Sequence, residues 1–153
     1  MLRLKDVEIS YKNVPTVQDF NLEMKQGQIV SLVGESGSGK TTVIRAILGL
    51  IAGGGKVTKG EITFEGKNLL AYTPEQWRKI RGSEISMIFQ DSGAMMNPTR
   101  RIGDVFVEYI LTHEKISKKE AWEKGTMMLE RMRLPSGDNI MRSYPFQLSG
   151  GMR

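Results

Sequence analysis

The stretch GESGSGKTT, Gly34 to Thr42, restricts what this chain can fold into more than any other. It matches G-x-x-x-x-G-K-[ST] in full, a pattern that acts only where a strand runs into a helix. Both flanks fit that context. Before it, GQIVSLVG carries Ile29, Val30, Leu32 and Val33, a nearly continuous β-rich run that predicts a strand buried on both faces, as in a parallel sheet. After it, Val43, Ile44, Ile47, Leu48 and Ile51 recur at helical spacing until Gly53–Gly55 ends the helix. Strand, glycine loop and helix make an α/β unit. Its glycines let backbone N–H groups turn inward toward phosphate oxygens, and the helix start adds the positive end of its dipole. Lys40 can reach the outer phosphates, and the Thr41 hydroxyl is placed for Mg²⁺. The candidate cradle is therefore Gly34, Glu35, Ser36, Gly37, Ser38, Gly39, Lys40, Thr41 and Thr42. An ordinary glycine-rich turn is the alternative, and the flanking strand and helix patterns disfavour it.

The remaining classes narrow quickly. At 153 residues, 39% hydrophobic and 25% charged, the chain has the balance of one soluble domain. No apolar run approaches the ~20 residues of a membrane-spanning helix, and MLRLKDVEIS has charges where a signal peptide carries its apolar segment. With no cysteine there is no disulfide and no thiolate metal site, which fits a reducing compartment. The formal charge of +5 would suit phosphates, nucleic acid or an anionic membrane surface, but it is spread among interleaved acids and bases, which favours a solvated surface.

Around the loop, MLRLKDVEISY alternates at Leu2, Leu4, Val7 and Ile9 and predicts a half-exposed strand. GEITFEGKNL, bounded by glycines, predicts an edge strand or hairpin. Thr73, Pro74 and Gln76 mark a helix start, and EISMIFQ, Glu84 to Gln90, is a second apolar strand candidate. From Asp91 onward the pattern turns helical. Ile102, Val105, Phe106, Tyr109 and Ile110 share a face, and Ser117 with Glu120 forms a capping box. These shifts divide the chain into a nucleotide-binding core, 1–90, and a helical subdomain, 91–153. The methionines, among them Met127, Met128 and Met132, read as filling of the helical core, and EKISKKEAWEKG as a solvated face.

QLSGGMR, Gln147 to Arg153, places Ser149 as the cap of a new helix, with the bare amides of Gly150 and Gly151 beside it. LSGG following the phosphate loop, in this order, resembles the signature motif of ATP-binding cassette (ABC) ATPases. IRGSEISMIFQD, the Asn97–Pro98 pair and YPFQLSGGMR are most similar to the peptide and nickel importer branch, and the resemblance spans essentially the whole chain. One local departure is DSGAMMNP, where that branch usually has a proline after the Gln-Asp pair.

The resemblance implies a phosphate-loop fold with an antiparallel β portion and a helical subdomain, C-terminally incomplete. It implies ATP and Mg²⁺ as cofactors, with Tyr11 stacking on adenine and Gln90, the Q-loop residue, sensing Mg²⁺ and the γ-phosphate and linking to membrane subunits. It implies that Ser149, Gly150 and Gly151 serve a nucleotide on another subunit of a head-to-tail dimer, identical or homologous. Membrane-spanning permease subunits are the other partners, nucleic acid is not one, and the site of action is the cytoplasmic face of the plasma membrane. The family's Walker B aspartate, catalytic glutamate and switch histidine follow the signature, so the chain reads as the N-terminal part of a longer ATPase, inactive alone. His113 precedes the signature and reads as a solvent-facing helix residue. The rival readings are a soluble ABC-type ATPase unconnected with transport and a nucleotide-binding fragment without hydrolysis.

Overall fold

β1 (Leu2–Tyr11) turns directly into β2 (Val14–Met24), and the two pair antiparallel. The two residues between them, Lys12 and Asn13, both adopt positive φ, 47° and 66°. That is the geometry of a tight hairpin whose twist matches its strands. In the computed structural model, which describes residues 1–90 and 92–152, these strands belong to a four-stranded antiparallel sheet of order β2-β1-β3-β4. β3 (Gly55–Phe64) and the two-residue β4 (Lys67–Asn68) form the hairpin expected from GEITFEGKNL. Asp91, at which the sequence places the boundary of the helical part, lies outside the described residues, as does Arg153. The chain separates into two units, Met1–Ser86 and Met87–Arg153.

The first unit is held by one face of the sheet. Leu2, Leu4, Val7 and Ile9 of β1 are buried with Val17 of β2 and Ile62 of β3, and Val43 and Ala46 of α1 (Lys40–Ile47) join the same core. The alternation read in β1 is thus the core face of the sheet. β2 carries the same period at Val17, Phe20, Leu22 and Met24, a signal the turn at Lys12–Asn13 punctuates. α2 (Pro74–Ile80) starts as its sequence dictates: the Thr73 hydroxyl accepts from the Gln76 N–H, and Gln76 Oε1 accepts from the Thr73 N–H at 2.8 Å.

Two strand expectations fail. Residues 28–35 form no strand, and Ile29 and Val33 are 98% and 88% exposed. EISMIFQ likewise forms none: Ile85 makes an isolated bridge to Arg81, and Ile88 is exposed. The reason is pairing. A central parallel strand needs partners along both edges to satisfy its N–H and C=O groups. Among the described residues no segment pairs with 28–35. The apolar run codes for burial that the described residues do not supply.

α1 also stops earlier than expected. Gly49, at φ 62°, ends it: Gly49 N–H donates to Ala46 O at 3.0 Å and Leu50 N–H to Arg45 O at 2.7 Å. This is the Schellman arrangement, and it needs the left-handed residue that glycine supplies. Ile51 falls beyond the helix and packs on the core from the loop.

The second unit consists of α3 (Ser92–Met95), α4 (Ile102–His113), α5 (Lys118–Arg131) and α6 (Gly137–Arg142). Ile102, Leu129, Ile140, Met141 and Leu148 form its core, with Phe106 and Trp122 packed against it. Close approach is made possible by small residues: a Cβ on Gly103 would fall 2.4 Å from the Trp122 ring, and one on Gly125 2.7 Å from Met141. The Ser117–Glu120 capping box forms as read. Of the predicted face of α4, Val105 and Tyr109 are half exposed. The methionine expectation fails at Met127, Met128 and Met132, which lie on the surface, while Met141 is fully buried. His113 is the last residue of α4, its ring tilted against Tyr109.

Candidate functional site

Gly34 to Thr42 forms a loop closed on itself and running into α1. Ser38 N–H donates to Glu35 O at 3.2 Å, making a turn at its crown. The Lys40 ammonium folds back over the loop and donates to Gly34 O at 2.8 Å, to Glu35 O at 2.5 Å and to Ser38 Oγ at 3.4 Å. These contacts place the positive charge above the loop, and among the described residues no carboxylate forms an ion pair with it.

Gly39 is the N-cap of α1, at φ 89° and ψ 4°, and makes no side-chain cap bond. A left-handed residue there turns the loop's last peptide into the helix, and β2 enforces it. A Cβ at position 39 would lie 2.7 Å from Val17 Cγ2. The N–H groups of Lys40, Thr41 and Thr42 occupy the first turn, where no intrahelical acceptor exists. Bare amides, a dipole end and a cation thus converge without acids in that turn. The arrangement is that of an anion site. Glu35 and Ser36 are exposed in the loop, and the Thr41 hydroxyl is exposed at the start of the helix.

α1 is fixed at its other end by a residue the sequence reading missed. Arg81 donates from Nε to Leu48 O and from a terminal nitrogen to Gly49 O, both at 2.9 Å, capping the carbonyls that follow the helix. Its guanidinium lies 4.4 Å from the centre of the Trp77 ring, and burial lowers its pKa from the ordinary value. Trp77 in turn meets Tyr72 edge to face. Nothing in RGSE announces this role, because the partners are backbone carbonyls more than thirty positions away.

Tyr11 ends β1 and is half buried. Its ring lies over Gly55, where a Cβ would fall 2.5 Å from Cε1, and Ile51 reaches the same spot. Tyr11 and the loop therefore belong to one unit. Gln90, exposed at a turn, belongs to the other, as do Ser149, Gly150 and Gly151. The expected helix start at Ser149 is a single 3-10 turn, Gly150–Met152, closed by Met152 N–H donating to Ser149 O at 3.0 Å. A Cβ on Gly150 or Gly151 would meet nothing within 4 Å, so this turn is open to approach. Leu148 is buried in the core of the helical unit and anchors it. Asp138 is a second residue the sequence reading missed. It accepts from Trp122 Nε1 and from Arg142 Nε, each at 2.8 Å, and fastens α6, which leads to this turn, onto α5. The hydrogen bond from Arg142, then that from Trp122, holds its carboxyl below the ordinary 3.8.

Among the described residues no group of three or more His, Asp and Glu side chains is placed to hold a metal ion. A cation at this loop would take phosphate and water ligands in addition to a hydroxyl, which is how Mg²⁺ is usually held. No helix of the described residues is long and apolar enough to cross a membrane.

Comparison with known proteins agrees with this geometry. The family model described as "ABC transporter" matches residues 17–153. A dipeptide transport ATP-binding protein of Lactococcus lactis is 37% identical over 158 residues, covering all of this chain and 45% of the relative. An oligopeptide transport ATP-binding protein of Escherichia coli is 36% identical, covering all of this chain and 46% of the relative. The chain thus spans about half the length of these relatives. Among solved structures, a dimeric bacterial ABC transporter cassette superposes with a TM-score of 0.81 at 26% identity, over 99% of this chain and 65% of that one. A dimeric cassette in a post-hydrolysis state with ADP and phosphate gives 0.79 at 25% identity, over the same shares. The phosphate-loop fold with its antiparallel sheet and helical unit, and a family match over most of its length, lead to one conclusion: the chain belongs to the ABC transporter family.

Proposed function

We propose that this chain is the nucleotide-binding half of an ATP-hydrolysing subunit that energises uptake of peptides or a related small solute through membrane-spanning permease subunits. The observation that carries the reading is the start of α1: an uncapped left-handed Gly39 and three orphan amides, with the Lys40 ammonium folded back over the loop onto Gly34 O and Glu35 O. Phosphate oxygens replace Gly34 O and Glu35 O as the partners of Lys40, and the amides of the first turn take the remaining charge. Thr41 would hold Mg²⁺, which would supply charge neutralisation at the phosphates, and Gln90 in the second unit keeps the Mg²⁺-sensing role that the resemblance implies. Tyr11, half exposed at the end of β1, gives adenine a ring face. Ser149, Gly150 and Gly151 face the nucleotide of a second copy or a homologous subunit, a reading that the dimeric state of both similar cassettes supports. The relatives' names, dipeptide and oligopeptide transport ATP-binding proteins, support peptides as the solute, and we set the protein at the cytoplasmic face of the membrane, beside a permease.

Calorimetric titration tests the assignment. Lys40→Ala removes one charge-assisted bond of ~1.5–3 kcal/mol, so ATP affinity falls about tenfold or more. Unchanged affinity contradicts it.

A further inference from the structure

The helix that presents the candidate phosphate site has little to aim it. α1 has eight residues, of which Val43 and Ala46 alone are buried, with Ile47 packed beside them. A helix this short does not hold its own course in water. Its direction is set beyond its last residue. Leu48 O and Gly49 O, carbonyls with no partner in the helix, both accept from Arg81 at 2.9 Å, one from Nε and one from a terminal nitrogen. The guanidinium rests 4.4 Å from the centre of the Trp77 ring, and both groups press on Gly49. A Cβ there would fall 2.6 Å from the indole and 2.9 Å from the guanidinium. Arg81 is itself held: its N–H donates to Trp77 O at 3.0 Å, closing α2, and across the next turn Ile85 N–H donates to the O of buried Ile80 at 3.0 Å. A planar fork on a fixed backbone is a strut between α2 and the end of α1.

The opposite end of the same rod carries the bare amides of Lys40, Thr41 and Thr42. Two turns of helix measure ~12 Å, so a tilt of ~5° about the clamped end moves those amides ~1 Å. That is several times the spread an N–H···O bond near ~2.9 Å tolerates. Charge has little part in this, because Arg81 acts from beyond the far end of the helix, more than the ~8 Å over which salt screens a charge. We propose that Arg81 is a positioning residue of the phosphate site: its two-pronged hold on Leu48 O and Gly49 O, backed by Trp77, aims the first turn of α1 at the phosphates of the nucleotide. This rests on the reading of the Lys40 loop as a phosphate cradle, and it gives that cradle a determinant of affinity at the other end of its helix.

Calorimetric titration of the intact subunit with Mg-ATP and with magnesium tripolyphosphate, which has no nucleoside, tests it. Arg81→Lys keeps the charge, but a point donor cannot hold both carbonyls and lie flat on the indole. Kd is expected to rise about fivefold in Arg81→Lys and Arg81→Gln, equally for the two ligands, because the strut serves the phosphates. Gly49→Ala pushes the indole and guanidinium off the carbonyls from the other side and gives a similar loss. Added to Arg81→Lys, it raises Kd by no more than about twofold further. A purely structural role predicts otherwise. A variant that melts earlier yet stays about nine-tenths folded at the titration temperature, by circular dichroism, loses only about a tenth of its apparent affinity. If Arg81→Gln does not fold, Arg81→Lys and Gly49→Ala carry the comparison. Unchanged Kd in Arg81→Lys, a loss for Mg-ATP that spares tripolyphosphate, or full additivity with Gly49→Ala each overturns the positioning role. Lys40→Ala in the same series separates the two levels. If it leaves both affinities unchanged, the cradle reading itself fails. If it weakens both while the Arg81 series stays flat, only the strut fails.

Discussion

At Tyr11 one side chain serves two neighbours: the ring packs over Gly55 beside Ile51, yet the residue stays half exposed at the strand end. Stacking of a base on such a ring is worth ~1–3 kcal/mol. Tyr11→Ala is accordingly expected to weaken ATP binding about tenfold, and Tyr11→Phe to leave it within twofold, when the two are titrated by calorimetry. Equal losses from both changes would assign the effect to the hydroxyl. Residues with short-range logic were legible in the sequence. Gly39 and Lys40 follow from the loop motif alone, and Thr73–Gln76 and Ser117–Glu120 from capping chemistry. Arg81 and Asp138 were not, because their partners are set by the tertiary fold: two carbonyls after α1 in the first case, an indole on a neighbouring helix in the second.

At the scale of elements, α1 is fastened at both ends. Its start is pressed onto β2 at Gly39, and its end is held by Arg81 and Trp77 at Leu48 and Gly49. Gly49→Ala places a Cβ 2.6 Å from Trp77 at a positive φ, so it costs ~1–3 kcal/mol from strain and overpacking together. The check is a denaturant melt of the chain, and an unshifted midpoint would contradict the account. The staple between α5 and α6 gives a pH dependence. The Asp138 carboxyl titrates below its ordinary 3.8 when folded, so its contribution is present above that value and is lost as pH falls through the lower folded pKa. Trp122 reports the loss directly through its bond to Asp138. Its fluorescence in wild type is expected to change below about pH 4, and Asp138→Asn is expected to flatten that step. Elements with their partners nearby in sequence, such as the β1–β2 and β3–β4 hairpins, form from local pattern. Residues 28–35 have the pattern of a parallel strand, but a pattern cannot provide the neighbour.

The whole molecule carries its largest liability in that segment. Ile29 and Val33 are almost completely exposed, and Ile88 in the second unit is 92% exposed. Unpaired apolar β-rich backbone is a template for association. The 153-residue chain is therefore expected to sediment as higher assemblies, and Ile29→Lys with Val33→Lys to return it toward monomer. Because neither side chain packs in the core, the same change is expected to move stability by no more than about 0.5 kcal/mol. A large drop in the unfolding midpoint would show that the segment is packed in solution.

The central claim is that the phosphate loop and the signature turn serve different nucleotides: the loop holds its own, and Ser149, Gly150 and Gly151 complete the site of a second copy. Mixed dimers test it most directly. When an intact Lys40→Ala subunit pairs with a Ser149→Arg subunit, one composite site collects both defects and the other has none. The account predicts that the mixture hydrolyses ATP faster than either mutant homodimer. A mixture no more active than the two homodimers would contradict it.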